Sequence, residues 1–333
     1  MIRAANTLDA LVAGLRGHLV SNADWQAVIA LANHTLLTPA LFSSLEQTGQ
    51  IQRVPSDVRK YLQFIHDCNR ERNMRLRAQL KEAVTALNKR GIVPVLLKGA
   101  VPLFLSRPVL PSSRMTSDLD IGVAAREEAS AQACLEELGY LQVPNERGMA
   151  RPQDAGLLEL RPYRPHSFER PKLVLQNDLR VKVPSAQSRA LHWILHDLVK
   201  EGDYLRGRID LRHLHDLAQL AESDGIDWTA LRASVPDRGV RNAIDTQLLA
   251  MHSFFGTSIP VECMQRPIIR LQHWRRVITS RHPVFGAPLR FAGNILWGAR
   301  RLSRAQELAR RDPVYLLRRI AIILLNGDLR SKI

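Results

Sequence analysis

The chain has 333 residues, 45% hydrophobic and 24% charged, which is enough for two or three packed domains of ordinary globular composition. Three scattered cysteines (Cys68, Cys134 and Cys263), with no CxxC or Cys/His cluster, argue against a disulfide framework or a structural zinc site. The net charge of +15 is concentrated at one end, since residues 261–333 hold 15 Lys+Arg against 4 Asp+Glu; a polyanionic partner (RNA, DNA or an anionic membrane surface) and a merely solvated basic face are both open readings.

The N-terminal stretch has helical spacing broken by Asp9 and Arg16 rather than a signal-peptide pattern. No run approaches eighteen uncharged apolar residues, so no transmembrane span is expected, and a cytoplasmic protein with reduced thiols is. Residues 5–50 read as helices. Asn22–Asp24 gives a start signal before Trp25, Val28, Ile29 and Ala32, and Pro39 separates a second short helix that runs to Gly49. The longest periodic segment opens at Pro55-Ser56-Asp57. It carries Val58, Leu62, Ile65, Leu76, Leu80, Val84 and Leu87, and it stops at Lys89-Arg90-Gly91.

The texture then changes. Residues 92–99, IVPVLLKG, predict a buried strand ending at a glycine, with a short helix after it. The stretch RPVLPSSRMTS predicts a loop, DLDIGVA a second strand, and REEASAQACLEELGY an amphipathic helix ending at Gly139. Residues 155–164 predict a third strand, and KLVLQNDLRVKV a hairpin about Asn177-Asp178. Strand–helix–strand–helix–strand from about 92 to 184 is the core of a small α/β or α+β domain. From Ser185 the chain reads helical again, and the basic end holds amphipathic stretches at 267–281, 288–311 and 313–326.

Asp118-Leu119-Asp120 carries the chemistry. On a strand, residues i and i+2 share a face, so both carboxylates project together with Cα atoms about 7 Å apart. Leu119, Ile121 and Val123 face the other way, into a core. Two carboxylates this close repel each other, and a hard divalent cation such as Mg²⁺ removes the penalty. An edge strand with two exposed aspartates is the plainer explanation. The surroundings favour a site. Lys98 and Gly99 close the preceding strand, where a glycine admits a ligand to the backbone and a lysine offers a point charge for phosphate. Arg114 lies just before the acidic strand, and Glu159 stands between leucines in GLLELR, where a shared cation would give it a partner.

These residues resemble the nucleotidyltransferase superfamily: a glycine-containing turn, a DxD strand, then a later carboxylate. More closely, Lys98-Gly99-Ala100 with Asp118-Leu119-Asp120-Ile121 beginning nineteen residues after Gly99 resembles the uncharacterised nucleotidyltransferase family. The likeness extends in order over roughly residues 20–235 and leaves out the basic end. At the turn the superfamily usually has Gly-Ser or Gly-Gly, and this chain has Gly99-Ala100; Ser117 is a candidate to supply the missing hydroxyl. Its familiar Glu-Leu-His is Glu159-Leu160-Arg161 here.

The resemblance implies an α+β fold, a small mixed nucleotidyltransferase-like sheet with flanking helices, plus N-terminal and C-terminal helical regions. The expected divisions are 1–90 (helical), 91–184 (the core), 185–260 (helices packing on the core) and 261–333 (basic helices). The resemblance further implies an NTP donor, with Asp118, Asp120 and Glu159 holding one or two Mg²⁺ ions. Lys98, Gly99, Arg114 and Ser117 are then expected at the nucleotide.

The reaction expected is transfer of NMP to an acceptor hydroxyl. RNA, such as a tRNA end, is suggested by the C-terminal charge, and a small molecule, peptide or protein is the alternative. A different class of reading is a non-catalytic protein with a decayed site that binds RNA or a membrane surface. Trp274, Arg275, Arg276, Trp297, Arg300, Arg301 and Arg304 mix aromatics with guanidiniums in a way that suits RNA or plain helix packing. His192 and His196, four apart, and His213 and His215 read mainly as core histidines, and Asp210 and Asp216 as helix caps or orienting groups.

Overall fold

The structure is a computed structural model that describes residues 6–105, 112–144, 146, 148–164 and 171–309. The stretch 313–326 and the side chains of Arg300, Arg301 and Arg304 lie outside what is described. The chain divides into two compact units, one made of Gly14–Leu19 and Leu37–Arg189, the other of the remaining residues.

In chain order the helices α1 (Thr7–Leu15), α2 (Trp25–His34) and α3 (Thr38–Gln47) come first, followed by the long α4 (Ser56–Lys89). Asp24 caps α2 by accepting from the Ala27 amide at 3.1 Å, and Pro39 sits in the first turn of α3, where its missing N–H is harmless. Then come β1 (Val95–Leu96), α5 (Ala100–Leu105), β2 (Asp118–Val123), α6 (Glu128–Glu137), β3 (Leu141–Gln142), β4 (Met149–Ala150), β5 (Leu157–Pro162), β6 (Lys172–Gln176) and β7 (Leu179–Val183).

The strands form one mixed sheet in the order β3-β4-β5-β2-β1-β7-β6. β2 therefore lies inside the sheet, parallel to β5 and antiparallel to β1, and is not an edge. Leu119, Ile121 and Val123 are fully buried on one face with Leu158, Val181, and Leu76, Leu80 and Leu87 of α4. Each such side chain contributes roughly 1.5–3 kcal/mol of burial. The hairpin at Asn177-Asp178 forms as expected, with both residues at positive φ, as a tight two-residue turn requires.

Two expectations need correction. The strand expected over 92–99 contracts to Val95–Leu96, because Pro94 has no N–H and Lys98 turns the chain at φ 44°. The short pair β3–β4 was not anticipated, since two-residue strands leave no alternation to read.

The other unit is helical: α7 (Ala186–Ile194, beginning just before the boundary), a π-helical turn at Leu195–Lys200, α8 (Asp203–Arg206), α9 (Leu211–Asp224), α10 (Trp228–Ala233), α11 (Arg238–Phe255), α12 (Glu262–Gln265), α13 (Pro267–Arg281) and α14 (Pro283–Ala309). Asp210, Asp227 and Asp237 cap α9, α10 and α11. Its core includes Leu214, Leu217, Ile244, Leu248, Met251 and Phe254. Within it, fully buried Asp245 pairs with Arg232 (2.6 Å) and Arg266 (3.1 Å). Among the described residues, no helix is long and apolar enough to cross a membrane.

Candidate active site

The pairing of β2 with β5 sets Asp120 opposite Glu159 and Gly122 opposite Arg161. Asp118, Asp120 and Glu159 share the face turned away from the leucine core, and each offers a carboxylate oxygen within 4.8 Å of the others. Sequence spacing alone showed that Asp118 and Asp120 share a face. It could not show that a strand forty residues on would run parallel and in register beside them.

Asp120 is fully buried, and Asp118 and Glu159 are partly exposed. A carboxylate in that position requires cations or hydrogen bonds. Lys98 Nζ lies 3.0 Å from Asp120 Oδ1, and Arg161 pairs with the same oxygen while donating to Glu159 Oε2 at 2.9 Å. Neither Asp120 oxygen accepts an aligned hydrogen bond. Burial lowers the Lys98 pKa, helped by the nearby Arg161 and opposed by Asp118 and Glu159. Burial also lowers that of Arg161, opposed by Asp118.

The turn after β1 and the approach to β2 supply the rest. Lys98 adopts a left-handed backbone, a strain of about 1–3 kcal/mol for a residue other than glycine. The next residue must be small. A Cβ on Gly99 would stand 2.7 Å from an Arg114 guanidinium nitrogen and 2.8 Å from Thr116 Cγ2. Arg114 donates to Thr116 Oγ1 at 3.2 Å, so its guanidinium lies over Gly99. Ser117 Oγ donates to Asp118 Oδ1 at 2.8 Å and so orients the first carboxylate. All seven residues singled out from the sequence thus lie in one neighbourhood at the junction of β1, β2 and β5.

The support from α4 escaped the sequence reading. Asn69 and Asn73 both donate to the Arg114 carbonyl, at 3.2 and 2.9 Å, and Asn69 also donates to the Ser112 carbonyl. Arg72 donates to the carbonyls of Thr116, Ser117 (3.4 Å) and Ala155 (2.7 Å), and Gln79 to that of Gly156 (2.9 Å). One helix face therefore fixes the segments leading into both acidic strands. The signal was present. Asn69 and Asn73 continue the stripe of Leu62, Leu76 and Leu80 at helical spacing, so buried polar residues stand where apolar ones would otherwise be.

The three acidic side chains suit a hard divalent cation. They are oxygen donors only, they converge, and the buried Asp120 Oδ2 accepts no hydrogen bond among the described residues. Asp197, Asp210 and His213 form a second convergence of ligand-type atoms, in the helical unit. There the His213 ring bonds Asp197 Oδ2 at 2.8 Å and lies 3.4 Å from Asp210 Oδ2, while Asp210 caps α9. A histidine ring held between two carboxylates accounts for that group.

Among the described members of the aromatic–arginine mixture of α13 and α14, three of four are used in packing. Arg275 donates to the carbonyls of Tyr204 and Leu205, and Arg276 is fully buried on Arg208 O and Gln247 Oε1. Trp297 lies under Arg206, and Trp274 is exposed.

No curated protein and no solved structure matches the chain. A family model described as an uncharacterised nucleotidyltransferase matches residues 21–256, well over half of the sequence, and spans the turn, both acidic strands and their supporting helix. The chain belongs to the uncharacterised nucleotidyltransferase family.

Proposed function

We propose that the protein transfers an NMP group from an NTP to an acceptor hydroxyl, breaking the bond between the α- and β-phosphates and releasing pyrophosphate, in a Mg²⁺-dependent reaction at Asp118, Asp120 and Glu159. The observation that carries this reading is the register of β2 against β5, which gathers three carboxylates inside a sheet beside a glycine turn. A nucleotidyl transfer needs charge neutralised on the phosphate oxygens and the reacting groups held in place. Mg²⁺ bound by the three carboxylates would supply the Lewis acidity that stabilises the attacking and leaving oxygens.

The remaining roles belong to the chain's own groups. Ser117 holds Asp118 in its ligating orientation. Gly99 leaves the backbone at the turn open to phosphate, with Arg114 poised above it. Lys98 supplies a point charge beside the carboxylates. α4 holds the segments leading into both acidic strands through Asn69, Arg72, Asn73 and Gln79. Glu159 completes the metal site or accepts the proton of the attacking hydroxyl. RNA is the acceptor that the net charge favours, although Arg275 and Arg276 are used in packing. A small molecule, peptide or protein hydroxyl is the other acceptor class.

The test is incubation of wild type and Asp118→Asn with each α-labelled NTP, Mg²⁺ and a cell extract, followed by separation of RNA, protein and small molecules. Label entering one fraction with wild type alone identifies donor and acceptor together. Equal labelling by a folded Asp118→Asn variant would overturn the reading. So would a complete absence of labelling with every NTP, which would leave a non-catalytic binding protein.

A further inference from the structure

Two side-chain cations already stand on the acidic group. Lys98 Nζ and the Arg161 guanidinium both pair with Asp120 Oδ1, and Arg161 spans to Glu159 Oε2. Arg161 is held there by the register: it lies two residues beyond Glu159 on the same face of β5, opposite Gly122. The group of five therefore contains three carboxylates and two fixed positive charges. Those two charges equal what one divalent ion brings. A further ion between Asp120 and Glu159 would meet the guanidinium at close range, in a partly buried setting where charges are weakly screened.

We infer that Arg161, with Lys98, takes the place of a second metal ion, so that this site holds a single divalent cation. The inference rests on the metal-dependent reading above and deepens it. Arg161 is a positioning residue in this role. It keeps Asp120 and Glu159 together and leaves Asp118, the partly exposed carboxylate oriented by Ser117, as the principal arm toward the one ion.

The test is a titration of the full chain with Mn²⁺, counting unbound Mn²⁺ by its electron paramagnetic resonance signal, without nucleotide or turnover. Wild type should take up one ion and Asp118→Asn none. Arg161→Gln should bind a second ion, or bind the first about tenfold or more tightly, because a nearby positive charge has gone. Arg161→Met, which keeps the apolar stem, should do the same, and Arg161→Lys should stay at one. Circular dichroism melts identify any variant that fails to fold, and the two charge-removing variants stand in for one another.

Two ions bound by wild type would overturn the inference and leave the metal-dependent reading intact. An unchanged stoichiometry and affinity in both charge-removing variants would do the same. No Mn²⁺ binding by wild type or by either charge-removing variant would remove the metal-dependent reading, and the inference with it.

Discussion

Arg72 is the most informative place to perturb the support of the site. Its guanidinium, half-buried on α4, donates to three main-chain carbonyls, those of Thr116 and Ser117 just before β2 and of Ala155 just before β5. One side chain thus ties together the N-terminal ends of the two acidic strands. Replacement by Met keeps most of the packing of the stem and leaves three carbonyls without their donor. A hydrogen bond to a charged group is worth about 1.5–3 kcal/mol, but the three share one cation and one of them is long, so a total of roughly 2–4 kcal/mol is expected. Arg72→Lys should recover only part, because an ammonium cannot match a planar fork that serves several acceptors. Urea denaturation followed by circular dichroism measures the loss. Metal uptake by the folded variant should also weaken, because Asp118 and Glu159 would no longer be held in register. A folded Arg72→Met protein with wild-type stability and unchanged Mn²⁺ affinity would show that the clamp does not set the geometry of the carboxylates.

Three other outcomes follow from particular contacts. Gly156→Ala should cost about 1–3 kcal/mol, since the new Cβ would lie 2.5 Å from the Ser117 carbonyl oxygen, a main-chain atom beside the site; a melting temperature equal to wild type would contradict the packing. Asp245→Ala should destabilise the helical unit by about 3–5 kcal/mol by stranding Arg232 and Arg266, whereas removing both arginines with the aspartate should cost less than the single change; thermal melts of the single and triple variants decide this. Burial opposes the charged form of His213, but Asp210 and Asp197, with Asp216 on the same helix, raise its pKa above the ordinary 6.5. The neighbouring His196 also meets Asp197. The stability His213 contributes is therefore fully present below about pH 6.5 and fades as pH rises through the folded value. Wild type and His213→Gln should differ most in acid and converge in base, and a gap that widens with pH would refute the ion-pair account.

The helices were legible because their caps and periods are local. Asp24 and the Lys89-Arg90-Gly91 stop act within one turn of chain, and the structure uses them as read. The acidic strand was legible for the same reason, since alternation puts Leu119, Ile121 and Val123 on the opposite face from Asp118 and Asp120. What separated Glu159 from a chance acid was strand order, which depends on contacts across forty residues. Arg161 shows the limit differently. As a letter it was a departure from Glu-Leu-His. Its significance came only from the register that places it against Asp120. The polar stripe of α4 was visible in the sequence, but its partners are main-chain carbonyls, which carry no residue-specific signal. The arginines at 275 and 276 suited either RNA or helix packing, because sequence does not say which basic residues a helical core will take in.

Asp120 joins these points into one constraint. A fully buried carboxylate in a central strand would be costly alone, and an ion pair roughly balances that cost rather than adding stability. Lys98 and Arg161 therefore permit the fold to keep Asp120 there, and a plain sheet would be at least as stable with an apolar residue at 120. Retaining the acid together with a left-handed lysine and a crowded glycine turn gathers three locally unfavourable choices within one small region. Elsewhere in this unit the β2 and α4 apolar residues obey ordinary packing rules. Local violations concentrated at one place, against a consistent background, are what a site under functional demand produces. Asp120→Leu combined with Lys98→Met and Arg161→Met should accordingly fold with stability equal to or above wild type, measured by urea denaturation. A severe loss of stability in that triple variant would mean that the charges hold the sheet together, and the argument from conflict to function would fail.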